Sequence, residues 1–315
     1  VTIALTMGDA SGVGPELVLR RAAHGGLGPD VVVYGDEAIL RQGATLLGIA
    51  WPEALRVRDL ALLSGDDHRP GRLDAASGAA ARAYVEAATR DALAGVVEAV
   101  VTMPMNKEAT QRTDPGFVGH TEFIAALCGV SKVTMMLTAP TPHGSLAVTH
   151  VSTHVSLRDA IDRVRRERVL DVIELTDAAL RRFLPEPRIA VCGLNPHAGE
   201  HGLFGHEDAA HITPAIERAR TGGIDASGPH PADTVFHAAV HRGRFDGIVC
   251  MYHDQGHGPM KLLAFEEGVN VTLGLPVVRT SVDHGTAFDI AWTGRASPRS
   301  LDAALAYARR LVGRA

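Results

Sequence analysis

Short apolar runs alternate with stretches of helical periodicity along nearly the whole chain. The runs Ile3–Thr6, Val31–Tyr34, Ala99–Thr102, Val133–Leu137, Leu146–Val151, Ile189–Cys192, Gly247–Met251 and Val269–Leu273 predict strands. They are short, rich in Val and Ile, and bounded by glycine, proline or polar clusters. Apolar positions three and four apart predict helices over Pro15–Ala23, Ala75–Leu93, Leu157–Arg182, Ala209–Arg220 and Ser300–Val312. Strands alternating with helices predict a mostly parallel sheet covered on both faces, an α/β fold. An antiparallel excursion is expected around 133–151, where two runs flank the proline- and glycine-containing Ala139–Gly144. No repeat or long flexible linker marks a boundary, so a two-domain chain must cross between domains at strand ends.

Composition narrows the class. Hydrophobic residues are 46% of the 315 but aromatics only 4%, so the core is built from Ala, Val, Leu and Ile. Net charge is −5 without long runs of one sign, which is unlike the basic footprint of a nucleic-acid binder. No apolar stretch approaches the roughly 18–20 residues that span a bilayer, so no membrane association is expected. The start, Val1 to Asp9, reads as a strand entering a loop rather than a signal peptide. Cys128, Cys192 and Cys250 are few and far apart, which points to free thiols and a reducing cytoplasm.

Polar and glycine-rich clusters follow the apolar runs directly, where open α/β sheets bind ligands. His154, His197 and His253 each close a separate strand or its loop, and a parallel sheet brings such ends to one edge. Neutral imidazoles are common metal ligands, and three of them leave positions open for a substrate. Any one such histidine, taken alone, reads more readily as a satisfied structural residue or a pH-tuned polar contact. His68, His143, His201, His206, His211, His237 and His241 read as solvated, whereas His257 and His284 stand nearer the chemistry. Lys107, Lys261 and Arg279, with Asn270, stand beside turns or strand ends and suit a phosphate or carboxylate. Arg279 reads as part of a Thr/Ser-rich turn after Pro276. Two glycine segments, Gly8–Glu16 and His284–Ala291, lead into helical patterns and can present backbone N–H groups to a ligand phosphate. Neither is a dinucleotide fingerprint.

Together the segments resemble the 4-hydroxythreonine-4-phosphate dehydrogenase family of vitamin B6 synthesis. The resemblance runs from residue 3 to about 297 and rests on GLNPHAGE at 193–200, MYHDQG at 251–256, VNVTLGLP at 269–276 and RTSVDHGTAFDIA at 279–291. It implies two α/β/α domains with a cleft between them, like the isocitrate and isopropylmalate dehydrogenases. Residues 1–110 and 250–315 would form the cofactor-binding domain, and 111–249 the metal, substrate and dimerisation domain. It places metal ligands on His154, His197 and His253, and substrate contacts on His120, Thr121, Lys261, Asn270 and Arg279. Cofactor contacts are expected at Gly12, Gly14, His284, Gly285, Thr286 and Asp289. The implied reaction oxidises a hydroxyl of a small anionic substrate with NAD or NADP and one divalent ion (Zn, Mg, Co or Mn), with decarboxylation following. In relatives the third histidine comes from the partner chain of a homodimer. The base that takes the hydroxyl proton is left among Asp254, Asp233 and Lys107, either Asp being equally suited to orienting a histidine.

Three departures bear on the substrate. The first loop reads GDASGVGPE where the family usually has GDPAGIGPE, His257 stands where biosynthetic members usually have Leu, and Trp292 replaces a small residue. His257 resembles a catabolic branch acting on D-threonate or D-erythronate 4-phosphate. Another branch oxidises the cis-dihydrodiol of terephthalate. From other classes, a three-histidine metallohydrolase would need no dinucleotide loop. A phosphate acetyltransferase-like chain would lack the histidines, and a pure binding protein would not gather so many reactive groups at strand ends.

Overall fold

The computed structural model describes residues 2–265 and 267–313. Its strands are β1 Ile3–Thr6, β2 Val31–Gly35, β3 Val57–Asp59, β4 Ala99–Thr102, β5 Thr134–Thr141, β6 Gly144–His150, β7 Ile189–Cys192, β8 Ala226–His230, β9 Gly247–Cys250, β10 Val269–Leu273 and β11 Val278–Val282. The chain forms two compact units, one from Val1–Ser131 with Leu275–Ala315 and the other from Lys132–Gly274. The expected division put 111–131 with the middle segment and 250–274 with the termini. Both stretches lie on the other side instead, because the helix His120–Leu127 packs on Ala75–Leu93, and β9 and β10 pair with β6, β7 and β5.

In the first unit the strand order is β3-β2-β1-β4-β11, and β2–β3, β1–β2, β1–β4 and β4–β11 all pair in parallel. Central β1 is buried on both faces, which is why Ile3, Ala4 and Leu5 form an unbroken apolar run. Helix Ala75–Leu93 is capped by Asp74, whose side chain accepts from the Ser77 N–H. It carries small residues against its neighbours, and a Cβ on Gly78 would collide with the backbone of Ala109 and Thr110.

In the second unit the order is β10-β5-β6-β9-β7-β8. β5 and β6 form the antiparallel hairpin anticipated around 133–151, and β10 runs antiparallel to β5. β6, β9, β7 and β8 are mutually parallel, so their carboxyl ends emerge along one edge. Val148, Ile248, Cys192 and Cys250 are at most 2% exposed and centre the core. The sulfurs of Cys192 and Cys250 stand 4.0 Å apart as buried free thiols.

Three local expectations differ from the structure. The helix expected over Leu157–Arg182 is two, Leu157–Arg163 and Arg166–Leu180. Val164 leaves helical geometry (φ −74, ψ 91) with its side chain fully buried, and periodicity alone does not register so short a break. The helix expected from Ala209 starts as a π-turn over Asp208–Ile212 before the regular Thr213–Thr221. The segment around Arg279 is not a turn but strand β11, whose polar positions are satisfied inside the fold: Thr280 donates to the Ala304 carbonyl at 3.0 Å.

Candidate functional site

In the second unit the ends of β6 and β9 carry four histidines. His150 closes β6, His154 follows in the next loop, and His253 and His257 lie on the first turns of the helix His253–Leu263. The Ser152 hydroxyl donates to the Met251 carbonyl at 3.1 Å, tying the two loops together. The rings of His154 and His253 have centroids 5.5 Å apart. Two imidazoles binding one ion at a metal–nitrogen distance of about 2.1 Å and a tetrahedral angle have centroids about 5 Å apart, so this pair fits a shared divalent ion. The Asp254 carboxylate lies 2.7 Å from Nδ1 of His253. A carboxylate only accepts, so Nδ1 carries the hydrogen and Nε2 is left with its lone pair free to ligate. Asp254, expected among the candidate bases, is thus placed to orient a histidine.

His150 and His257 sit behind this pair. Burial, with the neighbouring His257 adding to it, pushes His150 down to about 3. Burial and the neighbouring His253 push His257 down to about 4. Both rings are therefore neutral near pH 7.

His197 stands elsewhere in the chain's own structure. Its ring packs edge-on against Phe204 at 5.9 Å, and its Nδ1 lies 2.7 Å from Glu200 Oε2, the same carboxylate-on-Nδ1 arrangement as at His253. Among the described residues no three His, Cys, Asp or Glu side chains group as a metal ion requires. The expected three-histidine set is therefore represented within the chain by two members.

The loop carrying His197 is held in an unusual conformation. His197, Ala198, Gly199, Glu200 and His201 all have positive φ, from 42° to 84°. Each non-glycine residue there costs about 1 kcal/mol or more, and such strain gathers where function fixes the backbone. Asp208, 2% exposed, anchors the approach to it by accepting from Leu194 N at 2.8 Å, Asn195 N at 3.2 Å and Asn195 Nδ2 at 2.9 Å. Gln255 bridges this loop to the end of β9, accepting from Met251 N and donating to the Gly193 carbonyl, each at 2.7 Å.

Of the remaining residues expected in this unit, Lys261 lies in the last turn of helix His253–Leu263, not beside a strand end, with its Nζ 5.0 Å from the Phe265 ring centroid. Asn270 is on β10, and its buried Oδ1 has no hydrogen-bond partner among the described residues. Asp233 begins the helix Ala232–Arg242 and lines a cavity of about 510 Å³ with His230, His237, Arg242 and Arg244.

In the first unit the loops after β1, β4 and β11 meet, since these strands are neighbours. Asp9 N donates to the Pro104 carbonyl at 2.9 Å and Val13 N to the Thr286 carbonyl at 3.0 Å. Gly12 permits this approach: a Cβ there would lie 2.9 Å from the Thr286 oxygen. Gly14 likewise lies against the Met7 carbonyl, so both glycines have a packing reason. His284 keeps Nδ1 on the Gly285 carbonyl at 3.0 Å, while its buried Nε2 has no partner among the described residues. Space opens over Gly285, and Asp289 is exposed. An unsatisfied ring nitrogen in a loop that also exposes Gly285 suits a polar ligand.

Trp292 fixes that loop. With φ +61, its indole N–H donates to the Ala10 carbonyl at 2.9 Å, its ring covers Gly43, and it meets His68 edge-on at 4.5 Å. His68, expected to be solvated, is part of this packing, and burial lowers its pKa.

Arg279, 3% exposed, donates to Thr102 Oγ1 at 2.7 Å. Burial pushes its guanidinium down to about 10, Glu122 opposing. His120 heads the helix His120–Leu127 with Thr121 beside it; burial, then the charge of Arg279, pushes it down to about 3. Its buried Nε2 has no hydrogen-bond partner among the described residues. Lys107 adds positive charge from the start of helix Lys107–Gln111. A buried guanidinium beside a neutral histidine and a lysine is an arrangement for an anionic group.

Sequence reading passed over Asp9, His150, Glu200 and Asp208. The carboxylates at 200 and 208 act through backbone or ring nitrogens, for which a linear sequence has no signature. Asp9, in the loop after β1, is pushed up to about 6 by burial, although the Ser11 and Asn106 backbone N–H groups hold it down.

The description "Pyridoxal phosphate biosynthetic protein PdxA" belongs to the family model that matches residues 28–308. A D-threonate 4-phosphate dehydrogenase of Cupriavidus necator is 46% identical over 99% of this chain and 97% of its own length. A 4-hydroxythreonine-4-phosphate dehydrogenase of Geobacter metallireducens is 45% identical over 98% and 95%. The crystal structure of 4-hydroxythreonine-4-phosphate dehydrogenase from Klebsiella pneumoniae covers 99% of both chains at 41% identity with a TM-score of 0.88. Isocitrate dehydrogenase from Methylococcus capsulatus, at 15% identity and a TM-score of 0.51, shares the fold alone. With its model matched over most of the chain and relatives this similar from end to end, the chain belongs to the PdxA family.

Proposed function

We propose that this chain is a dehydrogenase that oxidises a hydroxyl of a small hydroxy-acid phosphate, D-threonate 4-phosphate or 4-phosphohydroxy-L-threonine being the leading substrates. The observation that carries the reading is the His154–His253 pair, 5.5 Å apart with a carboxylate on Nδ1 of His253, in a chain with this family membership. A bound divalent ion there supplies Lewis acidity toward the substrate's hydroxyl oxygen, and a bound nicotinamide supplies the hydride acceptor. His154 and His253 would hold the ion, and Asp254 keeps the His253 ring in its ligating tautomer. Arg279, His120 and Thr121 of the first unit are assigned to the substrate's anionic group, and Lys261 and Asn270 of the second unit are proposed as further substrate contacts. Because His120 is neutral, it serves as a hydrogen-bonding group rather than a second fixed charge. His284, Gly285, Thr286 and Asp289, with Gly12 and Gly14, are assigned to the cofactor.

The reading extends to a homodimer, with His197 rather than the expected third histidine, His253, completing the metal site of the second copy, because His253 already pairs with His154 within one chain. Three features support it. His197 has the same Nδ1 carboxylate as His253, it sits on a strained loop, and the adjoining Leu203 and Phe204 are 72% and 45% exposed. The direct test is NADH formation at 340 nm with D-threonate 4-phosphate, 4-phosphohydroxy-L-threonine, D-erythronate 4-phosphate and the terephthalate cis-dihydrodiol, each with and without chelator. Turnover of a phosphorylated hydroxy acid, lost on chelation and restored by a divalent ion, is expected; CO2 release then reports decarboxylation. Failure of all four substrates with NAD or NADP and metal supplied refutes the assignment. Full activity after chelation refutes the metal.

A further inference from the structure

The helix His253–Leu263 carries a second histidine on the same face as His253, one turn on, that none of the roles above uses. The rings of His253 and His257 are parallel within 11° and their centroids are 3.7 Å apart, a face-to-face stack. His257 is seated in turn. Its Nδ1 lies 3.2 Å from Nε2 of His150, and Nδ1 of His150 lies 3.5 Å from the Met135 carbonyl on the neighbouring strand. The polarity of this chain is fixed from its far end. A carbonyl only accepts, so His150 carries its hydrogen on Nδ1 and accepts at Nε2; His257 must then donate from its own Nδ1. His150 is fully buried and cannot swing away.

The helix backbone is shaped for this seat. Gly256 lies directly over His150: a Cβ there would collide with His150 Nε2 and stand 2.9 Å from Val148 Cγ1 and 3.1 Å from Cys250 Sγ. The helix approaches the end of β6 this closely only because residue 256 has no side chain. His253 is thus gripped at its edge by Asp254 and across its face by His257.

We propose that His257, seated on His150, is a positioning residue that fixes the ring plane of His253 for metal binding. The proposal rests on the metal reading of the His154–His253 pair and adds to it a reason for a histidine at 257. Supporting partners of metal ligands are commonly worth about 10–100-fold in metal affinity.

The test is Co²⁺ titration of the purified full chain, read by its visible d–d absorption and by dissociation constant, with circular dichroism as a check on folding. His257→Leu removes both the stacked ring and the donor to His150. It is expected to weaken Co²⁺ at least about ten-fold and to shift the d–d band, with the secondary structure unchanged. His257→Phe returns an aromatic face to His253 without a ligating nitrogen, and is expected to recover part of the affinity. Wild-type affinity and spectrum in His257→Leu overturn the proposal, since His253 is then held without its neighbour. Loss of binding in His257→Leu as complete as in His253→Ala, with no recovery in His257→Phe, also overturns it, because His257 is then itself a ligand. If the wild-type chain binds no Co²⁺, or His253→Ala binds it equally well, the metal reading itself fails, and the proposal with it.

Discussion

Replacing Asp9 by asparagine makes the pH dependence of stability a direct measure of one buried charge. Asp9 is fully buried, accepts the Ser11 backbone N–H at 2.9 Å, and is raised from its ordinary 3.8 to about 6, chiefly by burial. A carboxyl whose folded pKa lies above its unfolded one binds its proton more tightly when folded. The resulting stability is fully present below about pH 3.8 and is lost as pH rises through about 6. At about 1.4 kcal/mol per tenfold change, the full loss is about 3 kcal/mol, of which about half has gone by pH 5. The substituted amide cannot ionise, keeps an oxygen for the Ser11 N–H and should remove this pH dependence. Urea denaturation of wild type and Asp9→Asn at steps from pH 4 to 8 gives the difference directly. The variant should gain on wild type by about 2.4 kcal/mol between the two ends, most of it between pH 4 and 6. A difference that stays flat over this range would refute the reasoning, whatever its absolute value.

Three further perturbations probe the sites and their supports. Mixing His197→Ala with His253→Ala, each inactive alone, should restore activity in heterodimers, because a site sharing His197 across copies is then intact once per dimer; no recovery after subunit exchange is demonstrated would place all three histidines in one chain. Ala198→Gly relieves one left-handed residue (φ 55) and should stabilise by about 0.5–1 kcal/mol net of glycine's greater unfolded entropy, so a lowered melting temperature would contradict the strain assigned to this loop. Gly256→Ala should destabilise by about 1–3 kcal/mol through overpacking against His150, Val148 and Cys250; unchanged stability in denaturant melts would mean that the helix yields there without cost.

Much of the fold was legible along the chain. The apolar runs at Ile3, Val31, Ala99, Ile189, Gly247 and Val269 are all strands, because a strand buried on both faces has to be apolar along its length. β11 was not legible. Its Arg279, Thr280 and Ser281 look like a turn, and they are tolerated in a buried strand only because Thr102, Ala304 and other groups far away in sequence satisfy them. The break at Val164 was hidden for a related reason, since burial of one side chain rather than local propensity ends the helix there.

For the site, the sequence by itself determined which residues carry chemistry. Histidines, cations and glycines placed after apolar runs fall at the carboxyl ends of parallel strands, and that rule depends only on order along the chain. It could not decide which of them meet. Strand order brings the ends of β6 and β9 side by side, so His154 and His253 become a pair, with His257 stacked behind and His150 beneath. The same structure puts His197 on a left-handed loop against Glu200 and Phe204, apart from that pair. Which imidazole nitrogen carries the hydrogen was likewise decided only in three dimensions, because Asp254, Glu200 and the Met135 carbonyl set it through contacts of 2.7–3.5 Å. Chemistry follows residue type and is written along the chain; coordination follows distance and tautomer, which exist only once the strands have been ordered.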